Sequence, residues 1–207
     1  MKTIATKSDT RTQCKPDTRS VLLEAGSKVM LSKGYTNTGI QEIVSTAGVP
    51  KGSFYHYFES KEAFALAIIE KFDQAQRETL RYSLQDRDVS PMQRLTNYFA
   101  RAISHMQTAP CRGGCLIGNL SQEMSGQREQ LRQRLAVALD GWKSEYADCI
   151  REGQEKGEIR RDLCPLALAE IVLSGWEGAV LRSKATNSTI PVQSFQDLLP
   201  KLISSRQ

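Results

Sequence analysis

The stretch Gly48-Val49-Pro50-Lys51-Gly52-Ser53-Phe54-Tyr55-His56-Tyr57-Phe58-Glu59-Ser60-Lys61 decides how the rest of this 207-residue chain is read. Gly48 and Pro50 predict a tight turn with a helix beginning at Lys51, since proline lacks only an N–H that a first helical turn leaves unpaired. Phe54 and Phe58 stand four apart and share one face of a helix running to Phe58, so they turn inward. Lys51, Ser53, Tyr55, His56 and Tyr57 cover the remaining surface. Their donors and aromatic hydroxyls suit phosphates and base edges, and Gly52 permits close approach of the backbone to DNA. Burying three polar-tipped rings together would be costly unless each found a partner, which argues against reading Tyr55, His56 and Tyr57 as core.

Upstream, Val21, Leu22, Ala25, Val29 and Met30 recur at spacings of three and four, predicting an amphipathic helix from Asp17 to about Lys33 with Gly34 as its stop. Thr38-Gly39-Ile40-Gln41 matches a capping box and opens a short helix to about Ala47. Two short helices joined by a glycine turn form the helix-turn-helix pattern, which places a DNA-binding domain at 17–61. Residues 1–16 carry no sustained period and are expected to be a mobile basic arm. The first 61 residues hold nine Lys/Arg against five Asp/Glu, and the remainder nineteen against eighteen. The basic excess therefore sits where a polyanion would be met.

The segment through Lys61 resembles the signature of TetR-family repressors. That resemblance implies that Tyr55, Tyr57 and Lys61 contact the phosphate backbone, with Thr38 and Gln41 doing the same from the preceding helix. It implies that Lys51, Gly52, Ser53 and His56 face bases. It also implies a homodimer whose two heads, about 34 to 36 Å apart or more on an extended site, read a pseudo-palindromic operator in double-stranded DNA. The arm from Lys2 to Arg19 would add phosphate or minor-groove contacts.

Residues 62–207 read as a larger helical domain for effector binding and dimerisation. Ser60 is placed to cap a helix from about Lys61 to Leu84, and Gln85 to Val89 break the pattern. Ser90-Pro91-Met92-Gln93 opens a helix to about Gln107, and another spans about Cys115 to Met124. Leu131, Leu135, Ala138, Trp142, Tyr146, Cys149 and Gly153 trace one face of a helix from about Arg128 to Lys156. Pro165 to about Ala185 is apolar on most sides and demands burial, for which a partner subunit is the expected cover. Pro191 to about Ile203 is a final amphipathic helix. With no strand alternation and no repeat, the expected fold is all-α with about nine helices.

The unusual chemistry lies in Cys111-Arg112-Gly113-Gly114-Cys115-Leu116-Ile117-Gly118-Asn119-Leu120. Cys115 at a helix start, near Arg112, is expected to have a depressed pKa. Spacing groups Cys115, Asn119 and Gln122 on one face, Trp142 and Tyr146 on a second, and Trp176, Val180 and Lys184 on a third, and the three could converge on one pocket. Core packing is the competing role for these aromatics, and a small buried hydrophobe for Cys115. The blocks Gly114 to Leu120 with Gln122-Glu123-Met124, and Gly175 to Lys184, resemble the ligand domains of the acrylate-responsive (AcuR-like) and electrophile-sensing (NemR-like) branches of the family. Two mechanisms follow: reversible binding of a small unsaturated carboxylate such as acrylate, held by Lys184 or Arg182, or modification of Cys115 by a reactive electrophile, with Cys111 or Lys184 as a reaction partner.

Five unevenly spaced cysteines and a polar, charged start fit neither a secreted disulfide framework nor a signal peptide, so a reducing cytoplasm is expected. A metal-responsive regulator would use His105, Cys111 and Cys115, three ligands without a recognised zinc spacing. A thiol enzyme built on Cys115 lacks an evident positioned base, since the only other histidine, His56, is in the head. No strongly amphipathic Lys/Arg helix suggests membrane binding, and no cofactor motif is present.

Overall fold

The structure, a computed structural model, describes residues 17–108 and 113–205. The arm at 1–16, with Arg112 and Cys111, lies outside the described residues. The head comprises α1 (Thr18–Lys33), α2 (Ile40–Ala47) and α3 (Lys51–Tyr57). α1 stops where expected: Gly34 adopts φ +79°, a conformation that L side chains rarely take, and its N–H bonds to Met30 O at 2.9 Å. The rings of Phe54, Phe58 and Phe64 cluster with centroids 4.7 to 5.6 Å apart, closing α3 onto α4 (Lys61–Leu84). Ser60 caps α4 as its sequence predicts, Oγ accepting the Ala63 N–H at 3.0 Å.

The expected capping box at Thr38 does not form. Gly39 is the N-cap of α2 and makes no side-chain cap. Thr38 is buried, and its hydroxyl donates instead to Gly34 O at 2.6 Å. A turn brings Thr38 back over the end of α1, where unpaired carbonyls offer a nearer acceptor than α2 offers donors.

The body continues with α5 (Pro91–Thr108), α6 (Leu116–Met124), α7 (Glu129–Glu155), α8 (Pro165–Thr186) and α9 (Ile190–Ile203). The fold is all-α, with nine helices among the described residues, where a single bridge between Ile159 and Ser204 is the extended pairing recorded. α7 is central, packed on α4, α5, α6 and α8, while α9 lies across α8 and α5. No helix among the described residues is long and apolar enough to cross a membrane. Leu166, Ile171 and Leu181 on α8, with Ile190, Leu198 and Leu202 on or beside α9, are exposed, so the apolar excess of α8 is only partly absorbed within one chain.

Two ionic clusters fix the body. Asp73 on α4 accepts from Arg77 Nε, Arg134 Nη2 and Trp142 Nε1, each at 2.9 Å, tying α4 to α7. Burial opposes its ionisation, but these donors outweigh burial and hold its carboxyl below the ordinary range. On α5, the buried Arg94 guanidinium makes paired 2.7 Å bonds to both carboxylate oxygens of Glu152 and a further 2.9 Å bond to Leu84 O. Hydrogen bonds from Arg94, then from Lys156, pull Glu152 down to about 2.

Because the Glu152 pKa is depressed, its contribution is complete above the unfolded-state value of about 4.5 and is lost as pH falls towards 2. Glu152→Gln is expected to cost about 2 kcal/mol at pH 7 by leaving Arg94 buried without its counter-charge. The gap from the parent in denaturant titrations should close between about pH 5 and pH 2; a gap independent of pH would show the ion pair contributes nothing.

Candidate DNA-binding face and effector cavity

On the head, α3 is divided as its sequence predicts. Phe54 is fully buried, whereas Tyr55 is 53% exposed and Lys51, Gly52, His56 and Tyr57 are also at the surface. Ser53 is half-buried and Gln41 on α2 is exposed. One short helix therefore presents a cation, an imidazole and two phenols to solvent from a rigid aromatic base. Thr38 departs from the expected pattern: only 1% exposed, with its hydroxyl engaged, it braces the α1–α2 turn and offers no side chain to a phosphate. Lys61 lies at the edge of the face, its Nζ 3.3 Å from Thr36 O and 4.4 Å from the Tyr35 ring centroid. Partial burial lowers the pKa of that ammonium, partly offset by the nearby Glu123 carboxylate.

In the body, α4, α5, α7 and α8, with the start of α6, enclose a cavity of about 590 Å³. It brings together Cys115, Trp142, Tyr146, Trp176 and Val180, five of the eight expected effector residues, from two separate helices and a helix cap. Its walls also include Phe72, Tyr98, Arg101, His105 and Glu177, which spacing on single helices did not bring forward. Glu177 had a signal of its own, as an acid inside the apolar run of α8. Gln76 Nε2 donates to Tyr98 Oη at 2.5 Å, and burial raises the Tyr98 and Tyr146 phenols above their ordinary range.

Asn119, Gln122 and Lys184 are not in this cavity; they line a separate groove beside α1 with Glu123 and Leu181. Lys184 Nζ donates to Asn119 Oδ1 at 3.1 Å, and Asn119 Nδ2 donates to Gly113 O at 2.8 Å. Cys115 departs from the expected grouping because it precedes α6 as its N-cap, in extended conformation, so its side chain does not follow the helical face shared by Asn119 and Gln122. Of the suggested metal ligands, His105 and Cys115 both line the cavity and Cys111 is outside the described residues; among the described residues no three His, Cys, Asp or Glu side chains are grouped to hold a metal ion.

The expected depression of the Cys115 pKa is reversed. Its Sγ accepts the Gly118 N–H at 3.4 Å, as a helix-start sulfur should, but burial and the Glu177 carboxylate beside it dominate and push the thiol well above its ordinary range. Burial likewise raises the Glu177 carboxyl, against the lowering effect of its hydrogen bond with Cys115.

The head sequence over residues 22–68 matches the family model for bacterial regulatory proteins of the tetR family, and residues 91–199 match that for a tetracyclin repressor-like C-terminal domain. The chain belongs to the TetR family. It is similar to the HTH-type transcriptional repressor DhaR of Mycobacterium sp. strain GP1, 41% identical over 86% of this chain and 87% of that protein. The transcriptional regulator AcuR of Cereibacter sphaeroides is also 41% identical, over 84% of this chain and 80% of its own length. The structure of reduced Escherichia coli NemR superposes with a TM-score of 0.85 at 31% identity, covering 92% of this chain and 98% of that one. Both branches that the sequence resembles are thus among its relatives, and this TetR-family chain is a helix-turn-helix transcription regulator.

In this TetR-family regulator one side chain of the body grips the turn between α1 and α2. Glu123, near the C-terminal end of α6, accepts the backbone N–H groups of Tyr35 and Thr36, each at 2.7 Å. Gly34 lies directly against it, where a Cβ would stand 2.5 Å from Oε2. Burial works against ionisation of Glu123, but the Thr36 and Tyr35 donors and the Lys61 charge hold its carboxyl below the usual range. α6 therefore has the cavity at its capped start and the α1–α2 turn of the head near its end. Glu123→Ala is expected to destabilise the head by about 2 kcal/mol, the scale of charge-assisted hydrogen bonds, and to speed amide exchange at Tyr35 and Thr36 at least tenfold. Unchanged protection at those two amides would show that the clamp is idle.

Proposed function

We propose that this chain is a homodimeric repressor that holds a pseudo-palindromic operator through α3 and releases it when a small electrophilic or unsaturated carbonyl compound enters the body cavity. The observation that carries the DNA half is the exposed Lys51–Tyr57 surface standing on a buried Phe54. Tyr55, Tyr57 and Lys61 position the head on phosphates, with Gln41 assisting; Lys51, Gly52, Ser53 and His56 face base edges in the major groove. Dimerisation uses the exposed apolar side chains of α8 and α9, which supplies the cover that α8 lacks within one chain. The protein works in the cytoplasm, where its DNA and a reduced Cys115 coexist.

For the effector, the cavity favours a largely apolar molecule that meets few polar groups: Cys115, Glu177, the Tyr98 hydroxyl and, towards α5, Arg101 and His105. Binding of a carboxylate through Lys184 loses its support, because that ammonium is engaged by Asn119 outside the cavity. Arg101 keeps reversible binding of an unsaturated carboxylate as a second reading, since it is the guanidinium that lines the wall. Either effector acts by favouring the conformation in which α6, and through Glu123 the head, no longer matches the operator spacing.

The reading is tested by an operator mobility-shift assay on the DNA flanking the gene, challenged with acrylate, a maleimide and hypochlorite. Tyr55→Ala should weaken binding on every DNA by roughly tenfold, and Lys51→Ala should relax sequence preference at one position. Release by acrylate in a Cys115→Ser variant would select the reversible reading; release by maleimide that disappears in that variant would select the covalent one. Operator affinity unmoved by Tyr55→Ala across a salt titration would remove α3 as the reading element.

A further inference from the structure

Cys115 and Glu177 form a pair that neither core packing nor ligand bulk explains. Glu177, on α8, brings its carboxylate beside Cys115 across the start of α6, and both line the same cavity. The approach depends on Gly118: a Cβ at that position would lie 2.5 Å from Glu177 Oε2 and 3.5 Å from Cys115 Cβ. The sulfur is also fixed from the other side, since it accepts the Gly118 N–H at the helix start. Thiol and carboxylate thus meet in the wall of a cavity large enough for a small organic molecule beside them.

The neighbours of this pair decide what it can do. A thiol reacts as thiolate, and a thiolate is ordinarily stabilised by a nearby cation. Lys184 is held by Asn119 in the groove outside the cavity. Lys143, on the other side of Glu177, is held by Asp140 at 2.7 Å and Glu170 at 3.2 Å. Tyr146 and Tyr98 contribute phenols, and Arg101 and His105 line the wall from α5. The group in contact with the thiol is a carboxylate, which disfavours a free thiolate but can accept its proton.

We propose that Glu177 is the proton acceptor that lets the Cys115 thiol add to an electron-poor alkene bound in the cavity, and so determines that α,β-unsaturated carbonyl compounds are the effectors that react. This rests on the reading of the cavity as the effector site. As sulfur forms its bond to the β-carbon, the alkene π pair moves onto the carbonyl as an enolate and the S–H proton passes to a Glu177 oxygen. Glu177 then returns that proton to the α-carbon. The net change is addition across the double bond, with no leaving group and no oxidant, and Glu177 ends as the carboxylate it began as. Burial, by raising the Glu177 carboxyl, makes it a stronger base than an exposed glutamate. The thioether produced has no S–H proton to share with Glu177 and adds bulk between α6 and α8, at the end of α6 opposite the Glu123 clamp.

The test is the rate of acrylamide addition to Cys115 in the full-length protein, read by peptide mass spectrometry with the exposed Cys164 as an internal reference. In Glu177→Gln the Cys115 rate is expected to fall about a hundredfold, the scale of a lost general base. A purely electrostatic carboxylate predicts the opposite sign, because removing its charge would ease thiolate formation; a rate equal to or above the parent overturns the proposal. Should that variant fold poorly, the parent alone decides: a rate at least about twofold lower in D₂O is expected for a proton in flight, and a ratio near one overturns the assignment. Operator binding is followed in the same samples. A Glu177-dependent adduct that leaves the operator bound would sink the effector reading and support the proton transfer. A parent Cys115 that stays unmodified would sink the proton transfer, while quenching of Trp142 and Trp176 fluorescence by ligand would still uphold the cavity.

Discussion

A buried carboxylate that is paired three ways is difficult to move, because shifting any partner leaves charge without solvent or counter-charge; breaking such a cluster costs on the order of 3 to 5 kcal/mol. Asp73 occupies that position. It sits midway along α4, a long helix that packs on α1 of the head and on α7 of the body, and binds Arg77 on its own helix with Arg134 and Trp142 on α7. Through it the helix that carries the DNA-binding head is pinned to the centre of the body, and Trp142 is held by its indole N–H with its ring in the cavity wall. The cavity is thus built on one side from a residue whose rotamer is fixed by the same cluster that anchors α4.

α6 complements that fixed point with a short, adjustable one. It has only nine residues, and both its ends are held by single side chains: Cys115 caps its first turn and Glu123 grips two amides of the head. Asn119 adds a middle tether to Lys184 and Gly113. Leu116, Ile117 and Leu120 seat α6 in the core, so a displacement at its first turn is carried by the helix as a unit to the α1–α2 turn, one element away from α3. Thr38 and Lys61 bond to carbonyls of that same turn, so Lys61 and the clamp from the body meet on Thr36.

The helices were legible because each carries its own punctuation: Gly34 after α1, Ser60 before α4, Pro91 opening α5 and Pro165 opening α8 are local signals that need no knowledge of the partner elements. The α3 surface was legible for the same reason, since Phe54 and Phe58 fix its inward side within one helix. The site in the body was only partly so. Trp142, Tyr146, Trp176 and Val180 point to one cavity because they lie on the inner stripes of long helices. Cys115 lies before its helix, so projecting its face onto Asn119 and Gln122 carried those two, and Lys184 opposite them, to the wrong side of α6. The Cys115 pKa runs opposite to the direction its sequence suggests for a related reason: a helix start and a local charge are visible in sequence, whereas burial and an acid sixty-two positions away are properties of the packed structure.

The uncovered apolar side chains of α8 and α9 carry a consequence for dosage. The dimer proposed above, joined through them, would read its operator with two heads at once, so below the dimer dissociation constant its occupancy would rise with roughly the square of chain abundance rather than in proportion to it. Dilution of the chain on cell growth would then relax the regulated gene more sharply than any single head could, even before an effector arrives.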